Sequence, residues 1–344
     1  METIKLTSTK GFVLLDLADA AAVGVVRSAP SILQSGAANL ARSVTYSFAA
    51  FEVQAGGASA GVNAKPPERP EALAAFVAEV APRVEAATLL LGPARGVAEA
   101  DLAPLRAADP RPSWLWAEED GVSGHDEVVA AGAVAAAEAA GCPVDGATVA
   151  IEGFGGTGLA VARAVAARGG RVVAVSTTAG TASEPAGFDV GALAEGWASG
   201  GEGFTKALGG AAGPAADVLG SPAEVLFVGS RPGVLAHEGA EFVGAKAVVP
   251  IGPVPFTTKA MIQLQRGGVA VVPCFLAIAG PFLVGAGVVS DQRAPAVAET
   301  AERVAEKVRA AAAHEDGLFL GACAPAEAFL RAWQAALPFG RPLA

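Results

Sequence analysis

The sequence predicts an α/β protein of two domains. Its 344 residues exceed the size at which a single hydrophobic core usually stops growing, so two cores are expected. Short aliphatic runs alternate with helical stretches along most of the chain, which is typical of strands joined by crossover helices. The clearest case is the segment 147–176, in which a strand, a glycine turn, a helix and a second strand follow without interruption.

The glycine turn follows the predicted strand 148–151 and has the spacing G-x-G-x-x-G. In such a turn the first glycine permits the bend, the second lets the backbone approach a pyrophosphate, and the third lets helix and strand pack closely. The unpaired N–H groups at the start of the helix 159–167 then face the phosphates. We therefore expect a Rossmann-type domain that binds NAD or NADP through Gly153, Phe154, Gly155, Gly156, Thr157 and Gly158.

The choice between the two cofactors depends on the end of the second strand. An acidic residue there would accept a hydrogen bond from the adenosine 2′-hydroxyl of NAD. This chain has Thr177 instead, between Ser176 and Thr178, whose hydroxyls can donate to a 2′-phosphate. The alternative is that all three are ordinary residues of a strand end, so the preference stays open.

Composition restricts the class of partner. Hydrophobic residues make up 52% and charged residues 17% of the chain, which indicates a folded globular protein. The net charge of −10, with no cluster of lysine and arginine, argues against binding a phosphate backbone. We expect a small-molecule substrate and no nucleic-acid partner.

The segment 267–290 has no charged residue and is long enough to span a bilayer, but Pro273, Pro281 and several glycines would interrupt a membrane helix. We predict a buried strand followed by an apolar loop, and no membrane association. The N-terminus lacks the pattern of a signal peptide. The three cysteines share no metal-ligand spacing, so we expect no metal site. Their odd number suits a reducing compartment, so we expect a cytoplasmic protein.

Periodicity and punctuation residues predict the other elements. In the first part the predicted strands are 4–6, 12–15, 23–26, 56–62 and 87–91, and the predicted helices are 31–48 and 70–81, the second ended by Pro82. In the second part the predicted strands are 171–176, 224–228, 246–249 and 269–272, and the predicted helices are 127–140, 259–265 capped by Thr258, 294–313, and a last one that starts at Pro325. We assign 1–124 and the returning segment 321–344 to a substrate and oligomerisation domain of mixed α/β structure, and 125–320 to the nucleotide-binding domain.

Beyond the glycine turn, the chain resembles the glutamate/leucine/phenylalanine/valine dehydrogenase superfamily almost from end to end. The resemblance rests on the strings LARSVTYSFAA at 40–50, GGASAGV at 56–62, GFGGTG at 153–158, VVAVSTTAG at 172–180, GFDVGAL at 187–193, KAVVPIGPVPFTTKA at 246–260 and VAVVPCFLAIAGP at 269–281. It implies a two-domain dehydrogenase fold with a cleft between the domains, a homo-oligomer formed through the first domain, and NAD(P)-dependent oxidoreductase chemistry.

The same comparison indicates a degenerate active site. The two catalytic lysines of the family correspond to Ser47 and Ser59, and its catalytic aspartate corresponds to Ala94, next to Arg95. Other polar positions of the family cleft correspond to Ala131, Pro253, Cys274 and Ile278, whereas Arg27 matches a family arginine. A general base must titrate near neutral pH, which serine does not do. We therefore expect no deamination of amino acids by the family mechanism.

The remaining polar groups define a candidate site, each with a structural alternative. The candidate catalytic residues are Ser47, Ser59, Tyr46 and Cys274, and the candidate substrate-binding residues are Arg27, Arg95 and Ile278. The structural alternative is a buried small apolar residue for Cys274, a core residue with a satisfied hydroxyl for Tyr46, a solvated residue for Arg95 and a residue of a salt bridge for Arg27.

These residues lead to two hypotheses. The first is a diverged NAD(P)-dependent oxidoreductase that transfers a hydride to or from an imine, ketone or enone. The alternative is a noncatalytic dehydrogenase paralogue that acts as a nucleotide-sensing or partner-binding subunit. The intact glycine turn favours the first, and the loss of polar residues from the cleft favours the second.

Overall fold

The computed structural model describes residues 1–208, 211–289, 295–337 and 340–342, and in it the chain packs into two compact units. As far as these ranges are described, the first unit holds Met1–Ser113, Phe282–Ala294 and Cys323–Pro342, and the second holds Trp114–Pro281 and Pro295–Ala322. The predicted α/β class is confirmed. The predicted helix start at Ala294 and parts of the predicted segment 321–344 lie outside the described residues.

The strands are β1 (Glu2–Lys5), β2 (Gly11–Leu15), β3 (Ala22–Ala29), β4 (Gly56–Asn63), β5 (Leu89–Pro93), β6 (Glu118–Glu119), β7 (Val122–Ser123), β8 (Thr148–Glu152), β9 (Arg171–Thr177), β10 (Gly180–Ser183), β11 (Ala211–Gly213), β12 (Val225–Val228), β13 (Ala247–Pro250) and β14 (Ala270–Val271). The helices are α1 (Gln34–Ala50), α2 (Arg69–Glu85), α3 (Glu99–Arg106), α4 (Gly124–Ala139), α5 (Gly156–Ala166), α6 (Val190–Gly200), α7 (His237–Ala240), α8 (Thr258–Arg266), α9 (Cys274–Ala277), α10 (Gly280–Val289), α11 (Val297–Ala312) and α12 (Leu318–Trp333). A 3₁₀ segment, Gly201–Lys206, follows α6.

The sheet of the first unit has the order β1-β2-β4-β3-β5 among the described strands. Strands β4, β3 and β5 are parallel, and β1 and β2 are antiparallel to their neighbours. Helix α1 lies directly on β4 because Gly57 has no side chain: a Cβ there would lie 1.8 Å from the carbonyl oxygen of Ala41. The Gly57 N–H donates to Thr45 Oγ1 at 2.9 Å. Gly57 therefore sets the position of α1 and of the residues that it carries.

The sheet of the second unit has the order β11-β10-β9-β8-β12-β13-β14 among the described strands. Its part from β9 to β14 is parallel, and β10 and β11 add an antiparallel edge. The central strands β8 and β12 are buried on both faces, which is why they read as continuous apolar runs in the sequence. From β8 the chain proceeds to β9 on one side, and it later returns to β12 on the other side. The carboxyl edge between β8 and β12 is therefore the switch point of the sheet.

The predictions at prolines contain the clearest errors. The predicted loop after residue 272 is helical: Pro273 is the N-cap of α9, and Pro281 lies in the first turn of α10. Proline is tolerated there because the first N–H groups of a helix have no intrahelical partner. Pro82, predicted to end a helix, lies inside α2, and Pro325, predicted to start one, lies inside α12.

The predicted cap of α8 is one residue too late. Thr257, not Thr258, is the N-cap, and its Oγ1 accepts a hydrogen bond from the Ala260 N–H at 3.2 Å. Either threonine suits this role chemically, so only the backbone conformation distinguishes them. In the described part of the chain, no helix combines the length and hydropathy needed to cross a bilayer.

Replacing Gly57 with alanine tests the close packing of α1 on β4. We expect Gly57→Ala to lower the free energy of unfolding by about 1–3 kcal/mol or more, because the new methyl group overlaps the helix backbone. Gly36→Ala, in the first turn of the same helix, is the control, since nothing lies within 4 Å of a Cβ there. Differential scanning calorimetry measures both variants. Equal unfolding temperatures for the two would contradict this account of the packing.

Candidate functional site

A cavity of about 610 Å³ opens at the carboxyl edge of the second sheet. Its lining includes residues that follow β8, β9, β12 and β13, together with Trp197 on α6, Glu202 in the 3₁₀ segment, Glu118 on β6 and Asp126 in the first turn of α4. This is the switch point, where open α/β sheets bind their ligands. Its volume lies within the range of small-molecule and cofactor sites.

The three glycines of the turn have different surroundings. Gly153 has φ +82°, and a Cβ there would lie 2.6 Å from the Ser230 backbone nitrogen, so only glycine is accepted. A Cβ at Gly158 would lie 3.3 Å from the Phe154 side chain. The absence of a side chain at Gly158 therefore lets α5 pack close to the strand that precedes it. At Gly155 the nearest atoms belong to Trp197, 3.7 Å away, so the backbone there is open to the cavity.

The start of α5 offers unpaired donors beside this opening. Gly155 is the N-cap and provides no side-chain cap. Among the described residues, no acceptor is found for the N–H groups of Gly156, Thr157 and Gly158. Unpaired N–H groups at the positive end of a helix dipole bind phosphate well. The turn therefore fits the diphosphate of a dinucleotide.

The charged side chains of the cavity are negative. Glu118, Asp126 and Glu202 line it, and no lysine or arginine is found in its described lining. Asp126 connects two helix starts, because it accepts from the Ser123 N–H at 3.0 Å and also from the Thr157 hydroxyl. Any attraction for phosphate must therefore come from the backbone.

Glu152, the last residue of β8, holds the opposite loop in place. Its side chain is buried at the sheet edge and accepts from the Gly229 N–H at 3.1 Å and from the Ser230 N–H at 3.0 Å. The Ser230 hydroxyl donates to the second oxygen of the carboxylate. The sequence reasoning did not identify this residue, although an acidic side chain at the end of a buried strand is a usable signal.

The three hydroxyl residues predicted around the end of β9 are not equivalent. Ser176 is buried, and Thr177 donates to the backbone carbonyl of Glu202 at 2.5 Å. Thr178 is exposed, and its N–H and hydroxyl donate to the Glu202 carboxylate at 3.0 and 2.7 Å. The acidic group at this strand end is therefore Glu202, which comes from a later segment of the chain. The sequence around the strand gives no signal of this contact.

In the first unit, the structure brings together two of the predicted residues. Arg27 Nη2 donates to Ser59 Oγ at 3.4 Å, and burial lowers the pKa of the Arg27 guanidinium. Arg27 Nε is buried and has no hydrogen-bond partner among the described residues. Ser59 is fully buried. Arg27 is thus a half-buried cation whose Nε–H has no acceptor among the described residues.

The residues on α1 are occupied by internal contacts. Ser47 is 1% exposed, and its hydroxyl donates to the Ser43 carbonyl one turn earlier. The Tyr46 hydroxyl donates to Glu327 at 3.3 Å, and burial, with the charge of Glu327, raises the pKa of Tyr46. Glu327 also accepts a hydrogen bond from Arg341, which lowers the pKa of Glu327. Tyr46 is therefore part of a network that ties α1 to α12.

The other predicted residues belong to other elements. Arg95 is exposed on the loop after β5, where its carbonyl accepts from the Ser28 N–H. Cys274 is fully buried at the first position of α9, and Ile278 is buried just after that helix. Both belong to the second unit, whereas the arginines, serines and tyrosine belong to the first. In the described part of the chain, no cluster of three or more metal-ligating side chains is found.

The parallel sheet, the switch-point cavity and the glycine turn define an α/β domain of the dinucleotide-binding class. The family model of the glutamate/leucine/phenylalanine/valine dehydrogenases matches residues 121–318, which is more than half of the chain. The chain therefore belongs to this family.

Individual relatives agree with this assignment. The NADP-specific glutamate dehydrogenase A1 of Halobacterium salinarum is 34% identical over 139 residues, which are 39% of this chain and 32% of the relative. The match thus spans about a third of the length of the curated relatives. The hetero-hexameric glutamate dehydrogenase of Thermus thermophilus, in its Leu-bound form, superposes with a TM-score of 0.76 at 26% identity, covering 94% of this chain and 84% of that chain.

The L-tryptophan dehydrogenase of Nostoc punctiforme is similar in fold over nearly the full length of both chains. Its TM-score is 0.63 at 16% identity, with coverage of 96% of this chain and 95% of that chain.

Two substitutions test how much the hydrogen bonds from Gly229 and Ser230 to Glu152 contribute to stability. We expect Glu152→Ala to reduce the free energy of unfolding by about 1–3 kcal/mol, because it leaves the Gly229 and Ser230 N–H groups without their acceptor. Glu152→Gln retains an acceptor oxygen, and we expect a smaller loss. Chemical denaturation followed by tryptophan fluorescence measures both. An alanine variant as stable as the unmodified protein would show that these hydrogen bonds contribute nothing to the free energy of unfolding.

Proposed function

We propose that this protein is an NAD(P)-dependent oxidoreductase that transfers a hydride to or from a substrate other than a standard amino acid. The observation that carries the proposal is the glycine turn, in which open backbone at Gly155 adjoins unpaired N–H groups at the start of α5. When bound, the nicotinamide supplies the hydride chemistry, and the protein supplies binding and orientation.

The residues of the second unit have distinct tasks in this proposal. Gly155 lets the diphosphate reach the backbone, and the N–H groups of Gly156 to Gly158 bind its oxygens. Glu152 holds the loop of Ser230 against Gly153 and so keeps the cavity open at the switch point. Binding the diphosphate and positioning the loop of Ser230 depend on rigid geometry rather than on titratable groups, and they are the functions that the structure supports best.

The proposed substrate follows from the polar side chains that are absent from the first unit, compared with the family, and from those that are present. Ser47, Ser59 and Ala94 stand where the resemblance places two lysines and an aspartate, so the groups for ammonia exchange are missing. Arg27 keeps a half-buried guanidinium with an unpaired nitrogen, which suits one carboxylate or a developing oxyanion. We therefore favour an imine, a ketone or an enone with at most one negative charge.

We also propose a homo-oligomer assembled through the first unit. Strand β1 lies at one edge of its sheet and is exposed along most of its length. Such an edge pairs readily with another chain. The Thermus thermophilus relative is hetero-hexameric, which supports assembly as a property of this fold.

A noncatalytic role in nucleotide sensing or partner binding is the second candidate. Two observations favour it: Ser47 and Ser59 are at most 1% exposed, and Ser47 donates within its own helix. In addition, the carboxylate of Asp126 lies beside the start of α5, where it opposes an incoming phosphate. Nucleotide binding is shared by both candidates, so turnover distinguishes them.

Gly155→Asp tests the proposed nucleotide site. We expect the affinity for NAD(H) and NADP(H) to fall at least about tenfold, because the side chain places a carboxylate where the diphosphate must approach. Gly244→Asp is the matched control: it adds the same charge at an exposed position in the same unit, where nothing lies within 4 Å of a Cβ. Isothermal titration calorimetry measures the affinities. Undiminished binding by the Gly155 variant would rule out this site.

A screen of substrates tests the proposed reaction. With NADH and NADPH, we expect reduction of at least one cyclic imine, ketone or enone, measured as loss of absorbance of the reduced cofactor. We expect no oxidation of glutamate, leucine, valine or phenylalanine, because a missing general base alone slows a reaction by roughly 10²–10⁴-fold.

The double variant Ser47→Ala/Ser59→Ala is the control for the site in the first unit. Full activity of this variant on a reduced substrate would show that the serines take no part. If the cofactor binds but no substrate is reduced, the noncatalytic role becomes the better account. Ordinary turnover of any of the four amino acids would contradict the proposed reaction.

A further inference from the structure

We propose that Glu202 makes the nucleotide cavity selective for a cofactor with a free adenosine 2′-hydroxyl, that is, for NAD(H) over NADP(H). The inference rests on the proposed function and adds a specificity-determining residue to it.

The end of β9 is where a βαβ nucleotide-binding unit meets the adenosine ribose. Thr177, the last residue of the strand, is not acidic, which leaves the preference open when only the local sequence is read. The fold brings a carboxylate to the same place from the 3₁₀ segment Gly201–Lys206. Glu202 and Thr178 both line the cavity there.

The carboxylate of Glu202 has a defined position. One of its oxygens, Oε2, accepts from the Thr178 N–H at 3.0 Å and from the Thr178 hydroxyl at 2.7 Å. Its backbone carbonyl accepts from the Thr177 hydroxyl at 2.5 Å. No hydrogen bond to Oε1 is found among the described residues, so this oxygen can accept from a ribose hydroxyl.

The same arrangement opposes a 2′-phosphate. Thr177 and Thr178 already donate their hydroxyls to Glu202, so they are not available to a phosphate. Lys206 lies in the same segment but is not part of the described cavity lining. A 2′-phosphate would face this carboxylate, and the described lining of the cavity offers no cation to compensate it. Like charges brought together in this way repel strongly.

The test compares nucleotides that differ only at the 2′ position. We expect the unmodified protein to bind 5′-AMP at least about tenfold more tightly than adenosine 2′,5′-bisphosphate, and NAD more tightly than NADP by a similar factor. Glu202→Gln should reduce both ratios several-fold, chiefly by improved binding of the 2′-phosphorylated nucleotides. Quenching of tryptophan fluorescence, to which Trp197 in the cavity wall contributes, and titration calorimetry report binding without any turnover.

Two controls make the result specific. Glu195→Gln removes one negative charge from exposed α6 without touching the cavity, and it should leave the ratios unchanged. Raising the salt concentration should bring the affinities for nucleotides with and without a 2′-phosphate closer together. This effect should be larger in the unmodified protein than in Glu202→Gln, since only the unmodified protein has the charge repulsion between Glu202 and the 2′-phosphate.

The possible failures are distinguishable. If both members of each pair bind equally well, or if Glu202→Gln leaves the ratios unchanged, the role of Glu202 is overturned while the proposed nucleotide site stands. Tighter binding of NADP by the unmodified protein also overturns it. If none of the four nucleotides binds, the proposed function fails together with this inference.

Discussion

The nucleotide-binding unit depends on one close approach of two backbones, between the glycine turn after β8 and the loop after β12. Gly153 has no space for a side chain because the Ser230 backbone lies where its Cβ would be. Glu152 satisfies the N–H groups of the same loop with a buried carboxylate. Steric contact and hydrogen bonding thus hold the ends of the two central strands together. The loops that line the cavity are positioned by this arrangement.

The electrostatics of the cavity have two opposing parts. The start of α5 attracts phosphate through unpaired N–H groups and the helix dipole. The side chains of Glu118, Asp126 and Glu202 repel it, and the described lining has no cation. Binding therefore depends on a short approach to the backbone, which Gly155 permits. Under the proposed role of Glu202, charge at the cavity wall then acts mainly on selectivity, because a carboxylate distinguishes a hydroxyl from a phosphate more sharply than a backbone donor does.

The first unit keeps its architecture through close packing and a buried polar network. Helix α1 packs on β4 through Gly57, and Tyr46 connects α1 to Glu327 on α12. Ser47 donates to its own helix backbone. The half-buried Arg27 lies beside Ser59. Architecture and function are separable in such a fold, since close packing supports the former and a few polar side chains supply the latter.

The sequence by itself determined the α/β class, the central βαβ unit and the glycine turn, because these depend on local periodicity and on glycines whose spacing is fixed along the chain. It did not determine helix limits at prolines such as Pro82 and Pro325, since a proline can lie at the start, in the last turn or within a helix according to its packing. It also could not identify the partners of two acidic side chains at and beside the cavity. The position of Glu152 at the end of a buried strand is visible in the sequence, but only the tertiary structure brings Glu152 against the loop of Ser230 and Glu202 against Thr178, because hydrogen bonds between distant segments leave no local pattern.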